Sequence, residues 1–261
     1  MSRNGIRAID RMFDIVEHIQ YVDGAGVSKL AEDLGMAKST IHSHLSTLER
    51  RGYVVQDEDN SYHLSLRFFV LGGIVREKRT AYRHVRPLLK EIAEETGESV
   101  TYVVESDGKM VFMGNERGEE GIQTDIHAGF CTELHTTPEG KLILAYLPEE
   151  KRSRLLDQLK FPLKNRIGRA SLTAELERIR EDGFAYGRES IVESVGTVAA
   201  PIVDNQDRFH GAVVVAAPSL RFDDERVEEI AEILQYKIGK LNINITYQDL
   251  TYRIESDIKT R

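Results

Sequence analysis

Apolar residues near the N-terminus recur at helical spacing in three successive runs. The runs lie within residues 5–20, 27–34 and 38–51, and each places its apolar side chains on one face of a predicted helix. Gly35 ends the second run, as glycine commonly ends a helix, and Ser28 is its predicted N-cap. Two short helices joined at a glycine predict a helix-turn-helix, whose second helix can lie in the DNA major groove.

Two short β-prone runs follow the third predicted helix. Residues 53–55 and 62–64 are separated by a polar stretch, which predicts a hairpin directly after the recognition helix. Such a hairpin is the wing of a winged helix-turn-helix, and we expect the winged unit to span residues 5–66. The tip of the wing, residues 57–59, is acidic and would repel DNA phosphates unless it points away from them.

The outward face of the second helix of the motif carries short polar side chains, a composition suited to contacts with base edges and phosphates. We expect Ser39, Thr40 and His42 to make such contacts, and Arg50 and Arg51 to approach the backbone. The predicted DNA-binding residues are Lys29, Lys38, Ser39, Thr40, His42, Ser43, Ser46, Thr47, Arg50 and Arg51. The alternative is a ligand-sensing module that acts through protein contacts and whose winged unit does not bind DNA, which the acidic wing favours.

Residues 67–80 are predicted to form a linker helix that is more apolar than a connector requires. Its outward apolar side chains include Phe69 and Ile74. One interpretation is that this side packs on its own domain. The other is that it pairs with a second copy of itself, because a unit that reads a two-fold operator must be held as a homodimer.

The rest of the chain alternates between helical and strand patterns, which predicts a second, α+β domain over residues 81–250 and a C-terminal tail over 251–261. The predicted helices cover residues 82–96, 141–147, 149–159, 173–182 and a long final stretch capped by Asp223 or Asp224. The predicted strands cover residues 100–104, 110–113, 122–131, 198–203 and 211–217. Pro87 is expected to bend or restart the first helix, and Thr173 to cap the fourth.

The overall charge changes how the DNA-binding prediction must be understood. The chain of 261 residues has a formal net charge of −8, which is unusual for a protein that contacts phosphates. Residues 1–80 contain 11 basic and 11 acidic side chains, so the excess acidity lies in the second domain. No apolar run approaches the roughly 20 residues needed to cross a bilayer, and the first residues lack a secretion signal. We therefore expect a cytoplasmic protein with no membrane partner.

Few residues suggest chemistry. His127, Cys131 and His135 have side chains that bind soft metals, but on a strand their spacing of four would leave neighbours about 13 Å apart. Whether they bind a metal is left open by the sequence, and no metal or cofactor is predicted. No phosphate loop, nucleophile elbow or zinc-protease motif is present, so we do not expect an enzyme.

Three stretches, in a fixed order along the chain, resemble a known family. Residues 35–54 read GMAKSTIHSHLSTLERRGYV and are similar to that family's recognition helix and wing start. Residues 134–141, LHTTPEGK, resemble its L-H-x-T-x-x-G-K segment. The third stretch runs from Gly183 through Glu189 to residues 198–201. On these stretches the chain resembles IclR-type transcriptional regulators over nearly its whole length.

The resemblance implies a sequence-specific DNA-binding regulator of a catabolic gene set, controlled by a small-molecule effector. The effector would be an organic, sugar or aromatic acid bound in a C-terminal GAF-like α/β domain, and the protein would act as homodimers or dimers of dimers. By position, the implied effector-binding residues are Thr137, Pro138, Glu139, Gly140, Glu189, Val195, Thr197, Val214 and Ala216. Many members have Asp, Gly and Cys where this chain has Gly187, Ser194 and Thr197, so the family's ligands cannot be transferred.

Overall fold

The computed structural model describes residues 5–158 and 168–259. The chain separates into two compact units, Met1–Lys78 and Arg79–Arg261. The helices and strands of the first unit are α1 (Arg7–Val22), α2 (Val27–Asp33), α3 (Lys38–Arg50), β1 (Val54–Gln56), β2 (Tyr62–Leu64) and α4 (Arg67–Glu77).

The first unit is a winged helix-turn-helix. Its three N-terminal helices bury one face each in a common core, with Ile15, Leu30 and Leu45 fully enclosed. Strands β1 and β2 pair antiparallel as the predicted hairpin. The predicted cap at Ser28 is wrong, because α2 already begins at Val27 and the residue before it is a glycine without a capping side chain.

The second unit contains a six-stranded antiparallel sheet with helices on both faces. Its strands are β3 (Ser99–Ser106), β4 (Lys109–Arg117), β5 (Cys131–Glu133), β6 (Ala185–Gly187), β7 (Val195–Val203) and β8 (Phe209–Pro218), in the order β5-β4-β3-β8-β7-β6. Its helices are α5 (Thr80–Thr96), α6 (Pro138–Tyr146), α7 (Glu149–Gln158), α8 (Arg169–Asp182) and α9 (Asp224–Lys259). A short 3-10 helix, Ser219–Arg221, precedes α9.

Successive residues of the central strands are buried alternately in two separate cores, one on each face of the sheet. On β8, Val213 and Val215 face one core with residues of α5 and α9, whereas Ala212 and Val214 face the other with residues of α6 and α8. A strand covered on both faces has no polar side to present, which explains its near-continuous apolar sequence. This confirms the predicted α+β domain with a sheet covered by helices.

Several predicted elements differ in their bounds. The strand predicted at residues 122–131 is wrong, because only residues near its end approach β4 and the strand covers Cys131–Glu133. Thr173 is not a cap: α8 begins at Arg169, and the Thr173 hydroxyl donates to a carbonyl within the helix. Helix α5 continues through Pro87 without restarting. The predicted last residue of α7, Leu159, lies outside the described residues.

Helices α6 and α9 also differ from the predicted bounds, and capping residues explain where each one begins. Helix α6 begins three residues earlier than predicted, because Thr137 caps it and Pro138 occupies its first turn. Asp223 caps α9 through a hydrogen bond from the Arg226 N–H, as predicted. Helix α9 extends to Lys259 and so includes most of the stretch predicted as a tail, of which residues 260–261 lie outside the described part.

The turn between β7 and β8 is held by a buried carboxylate. The Asp204 side chain is 1% exposed and accepts hydrogen bonds from the backbone of Gln206 and Arg208 and from the Arg208 and His210 side chains. Burial alone would raise the pKa of Asp204, but these hydrogen bonds outweigh it and hold the pKa below its usual range.

We expect Asp204→Asn to lower the free energy of unfolding by about 2–3 kcal/mol, because charge-assisted hydrogen bonds are lost. A depressed folded-state pKa stabilises the protein above the unfolded-state pKa of about 3.9, and this contribution is lost as the pH falls through the folded-state value. The difference between wild type and variant should therefore be constant above about pH 5 and shrink below about pH 4. Denaturant unfolding across this range measures it. Asp207→Asn, on the same turn but exposed, is the control and should change little.

Candidate DNA-binding surface and effector cavity

Helix α3 turns its polar face outward because its apolar stripe is fully used by the core. Ile41, Leu45 and Leu48 are buried, whereas Ser39 and His42 are exposed. Of the other predicted contact residues on this helix, Lys38, Ser43 and Arg50 are exposed and Thr40, Ser46 and Thr47 are partly buried. The structure therefore places the predicted residues of α3 on one accessible surface.

The hydroxyl groups on this surface differ in what they can still bond. Ser43 Oγ donates to the Ser39 carbonyl at 2.9 Å, and Thr47 Oγ1 donates to the Ser43 carbonyl at 3.0 Å. Each of these hydroxyls has used its one proton and can only accept from a further partner. Within the described part of the chain, Ser39 and Thr40 make no side-chain hydrogen bond. Both can donate and accept, and they lie in the first turn of α3.

The predicted cations are not equivalent. Lys29 Nζ lies 2.7 Å from Asp33 Oδ1, and the other Asp33 oxygen lies 2.8 Å from His18 Nε2. The hydrogen bond raises the pKa of Lys29 and lowers that of Asp33, so this lysine belongs to an internal ion pair. Arg50 and Arg51 are exposed and have no carboxylate partner among the described residues. Lys38 is exposed and likewise has no carboxylate partner there, so these three residues are the predicted cations of this surface that are not ion-paired.

Most of the carboxylates at the acidic wing tip bond to other residues of the wing. Asp57 Oδ2 lies 3.2 Å from His63 Nε2. Asp59 accepts hydrogen bonds from the Ser61 N–H at 2.9 Å and from its hydroxyl at 3.2 Å, and the backbone bond is the main cause of its lowered pKa. Two of the three carboxylates therefore bond within the wing, and Glu58 is exposed at its tip.

Helix α4 leaves most of its apolar side chains accessible. Phe68 packs on Tyr53, with ring centroids 5.2 Å apart. No residue of α4 is buried, and Phe69 is 71% exposed and Val75 64% exposed. Packing on its own unit thus accounts for one face of this helix only.

The second unit contains a cavity of about 140 Å³ over the sheet face that packs on α6 and α8. Its floor contains a row of paired residues that crosses four strands, from Arg117 on β4 through Ser99 and Ala216 to Thr197 on β7. Thr101 and Val214 of the next row also line it. The remaining wall is formed by α6, by residues 122–126 and by residues 190–192.

Glu139 on α6 lies at one end of this cavity. Its side chain is almost fully enclosed, with 2% of the residue exposed. The carboxylate accepts hydrogen bonds from Ser190 Oγ at 2.6 Å and from Thr197 Oγ1 at 2.9 Å. Two hydroxyls from distant parts of the chain thus fix the position of one carboxylate in the wall.

The structure brings together five of the nine predicted effector-binding residues. Those that line the cavity are Glu139, Val195, Thr197, Val214 and Ala216. Those that do not line it are Thr137, Pro138, Gly140 and Glu189. The polar lining residues that sequence reasoning missed include Ser99, Thr101, Asn115 and Arg117. The alternation of Ser99 and Thr101 with buried valine and tyrosine on β3 was the one signal for them.

The L-H-x-T-x-x-G-K segment has structural roles at most of its fixed positions. Leu134 is buried, and Thr137 Oγ1 accepts from the Gly140 N–H at 3.1 Å as the cap of α6. A Cβ on Gly140 would lie 2.2 Å from the Leu134 carbonyl oxygen, so only glycine fits there. Lys141 Nζ lies 2.8 Å from Glu175 on α8. The segment therefore positions α6 against its neighbours, and Glu139 is the residue of the segment that lines the cavity.

The histidine and cysteine residues at spacing four are not arranged as a metal site. In the described ranges, no group of three or more His, Cys, Asp or Glu side chains is placed to hold a metal ion. His127 Nδ1 lies 2.9 Å from the neighbouring Ala128 carbonyl oxygen, and Cys131 is exposed on β5. Within residues 5–158 and 168–259, no helix is both long enough and apolar enough to cross a bilayer.

Comparison with known proteins covers both units. Residues 8–58 match the family described as IclR helix-turn-helix domain, and residues 77–240 match that described as Bacterial transcriptional regulator IclR C-terminal. Relatives include the probable HTH-type transcriptional regulator ArcR of Halobacterium salinarum, 29% identical over 247 residues that cover 89% of this chain and 94% of the relative. HTH-type transcriptional regulator BhcR of Paracoccus denitrificans is 28% identical over 232 residues, covering 87% and 83%.

Solved structures share the fold. The IclR protein of Thermotoga maritima superposes with a TM-score of 0.72 at 24% identity, over 92% of this chain and 99% of that one. An IclR homolog of Microbacterium hydrocarbonoxydans, crystallised with 4-hydroxybenzoate, gives 0.71 at 18% identity, over 90% and 99%. Because the family matches extend over the winged unit and the sheet domain alike, the chain belongs to the IclR family of bacterial transcriptional regulators.

Proposed function

We propose that the protein binds a two-fold DNA operator as a dimer, with α3 of each copy in a major groove. The single observation that carries this proposal is the polar face of α3, where the unbonded hydroxyls of Ser39 and Thr40 lie at the N-terminal end. In helix-turn-helix proteins, that end of the recognition helix contacts base edges. Arg50 and Arg51 supply cations near the opposite end of the helix for phosphates.

The apolar surface of α4 supports a second copy of this chain as its partner. Phe69, Val70, Ile74 and Val75 are each about half exposed or more. An apolar helix face of this kind is costly to leave in water, and self-pairing buries it on both copies at once. Dimerisation would also hold two recognition helices at the fixed spacing that a palindromic operator requires.

The effector is proposed to be a small organic acid bound in the cavity of the second unit. A cavity of about 140 Å³ is close in size to one that holds a single benzene ring, so the ligand is small. Arg117 lines the cavity, and its Nε–H donates to the Gly121 carbonyl at 2.6 Å. It has no carboxylate partner among the described residues, so the two terminal nitrogens of its guanidinium are available for an acid group. The Microbacterium homolog that was crystallised with 4-hydroxybenzoate, a small acid, has the same fold.

Selection of bound fragments from genomic DNA by the full-length protein, followed by footprinting, tests the operator proposal. We expect protected sites with two-fold symmetry and half-sites about one helical turn apart, or a multiple of it. Uniform weak binding to all fragments, with a strong salt dependence and no protected site, would contradict the proposal. That result would favour the alternative, a sensing module that acts through protein contacts.

A further inference from the structure

The charges of the cavity lining restrict the chemical class of its ligand beyond a small acid. Two of the described lining residues are charged, Arg117 and Glu139, and they are opposite in sign. Neither has an ion-pair partner in the described part of the chain. Lys141, the other charged residue of α6, differs in this respect because it pairs with Glu175.

The two charges lie at opposite ends of the cavity floor. Arg117 is paired in the sheet with Ser99, Ser99 with Ala216, and Ala216 with Thr197, the residue whose hydroxyl binds Glu139. Three inter-strand spacings separate Arg117 from Thr197, a Cα distance of about 14 Å. Arg117 is exposed at one end, where its Nε–H donates to the Gly121 carbonyl at 2.6 Å, and Glu139 is enclosed at the other. This separation leaves room for a ligand of several heavy atoms between them.

Glu139 is unusual because its carboxylate is enclosed without a compensating cation. A carboxylate has about four sites that accept hydrogen bonds, and the two hydroxyls that bind Glu139 leave about half of them for a further donor. Burial of an unpaired charge is unfavourable, so a cationic group in the cavity would gain a strong partner. The first turn of α6 favours negative charge, and Glu139 itself already occupies that position.

A simple acid is therefore poorly matched to this cavity. Its carboxylate can bind Arg117, but near Glu139 it would be repelled. We propose that the effector is a small amino acid or a related zwitterion, with its carboxylate on Arg117 and its ammonium group on Glu139. This inference rests on the proposed function of the cavity and names the class of molecule that it binds.

The test compares matched compounds on the full-length protein by calorimetric titration and thermal shift. One set is 4-aminobutanoate, butanoate and butylamine, and the other is 2-aminopentanoate, pentanoate and pentylamine. We expect the zwitterion of at least one set to bind ten-fold or more tightly than both its acid and its amine. Glu139→Gln should weaken the binding of that zwitterion ten-fold or more. The affinity for the matching acid should be unchanged or higher.

The unliganded variant supplies a second measurement. Glu139→Gln keeps the size of the side chain but removes the enclosed charge, and its amide can accept from one hydroxyl and donate to the other. We therefore expect the Tm to rise by about 2–4 °C. Glu177→Gln, an exposed carboxylate on α8, is the matched control and should leave the Tm unchanged. A lower Tm for Glu139→Gln would mean that the carboxylate is a structural group, which would overturn the inference.

The outcomes separate this inference from the proposed function. Acids that bind as tightly as their zwitterions, or a preference that survives in Glu139→Gln, would overturn the zwitterion class while an acid effector stands. Failure of both zwitterions to bind also overturns it. The operator experiment does not depend on any of these compounds, so its failure would be recorded independently.

Discussion

Replacing Ser39 and Thr40 together by alanine is expected to weaken operator binding by about 100-fold or more, without loss of folding. A good contact to a base edge contributes about 1–3 kcal/mol, and a dimer would lose both hydroxyls from each of two copies. The helix itself should tolerate the change, because alanine has the highest helix propensity and Ser39 is exposed. Fluorescence anisotropy with a labelled operator measures the affinity, and circular dichroism checks the fold.

One serine and one threonine of α8 provide the matched control for the double replacement on α3. Ser171 and Thr173 are exposed on a helix of the second unit, and their double replacement by alanine changes the same atoms away from α3. Operator affinity should remain within about two-fold of wild type. Equal loss in both double variants, or no loss in Ser39→Ala/Thr40→Ala, would contradict the assignment of the contact to the N-terminal end of α3.

Replacing Gly140 by alanine is expected to lower the free energy of unfolding of the second unit by about 3 kcal/mol. The added Cβ would lie 2.2 Å from the Leu134 carbonyl oxygen and 2.8 Å from its carbon, and these backbone atoms cannot move without shifting α6. For a unit of this size, such a loss corresponds to a Tm lower by roughly 6–12 °C. Calorimetry of the full-length protein measures the transition.

Gly239 offers the same substitution in an open environment. It is an exposed glycine within α9, and no described atom lies within 4 Å of an added Cβ. Gly239→Ala should stabilise the unit by about 0.5–1 kcal/mol, because alanine favours the helix. If both variants behaved alike, the close approach of α6 to Leu134 would not be what the glycine is needed for.

Local patterns were sufficient to predict the winged unit. The periodic apolar residues Ile41, Leu45 and Leu48 are the buried stripe of α3, and the hairpin follows where the β-prone runs predicted it. Both features depend on residues within a few positions of each other, which is why periodicity detects them. The wrong cap prediction at Ser28 has a local cause as well, since the actual N-cap, Gly26, offers no side chain from which a cap could be predicted.

The cavity could be predicted only in part, because its walls come together through long-range contacts. Glu139 binds Ser190 and Thr197, which lie 51 and 58 positions away in the chain. Arg117 joins the same floor through strand pairings that the sequence does not encode locally. The resemblance supplied the residues on α6, β7 and β8, whereas Ser99 and Arg117 required the register of the sheet.

The predicted effector residues that do not line the cavity also have a physical explanation. Thr137 caps α6, and Gly140 permits its close approach to Leu134, so their side-chain types are explained by seating the helix. A sequence motif records that a residue type is needed at a position, but not whether it serves packing or binding. Position in space decides between the two.

We propose that a small molecule bound in the second unit controls DNA binding by the first. The most direct test is the operator affinity of the full-length protein, measured by anisotropy with and without a saturating effector identified by the binding experiments. We expect at least a five-fold change in operator Kd, and the operator should change the effector Kd by the same factor, because such coupling is reciprocal. An operator Kd that is the same with and without bound effector would contradict control of DNA binding by the effector.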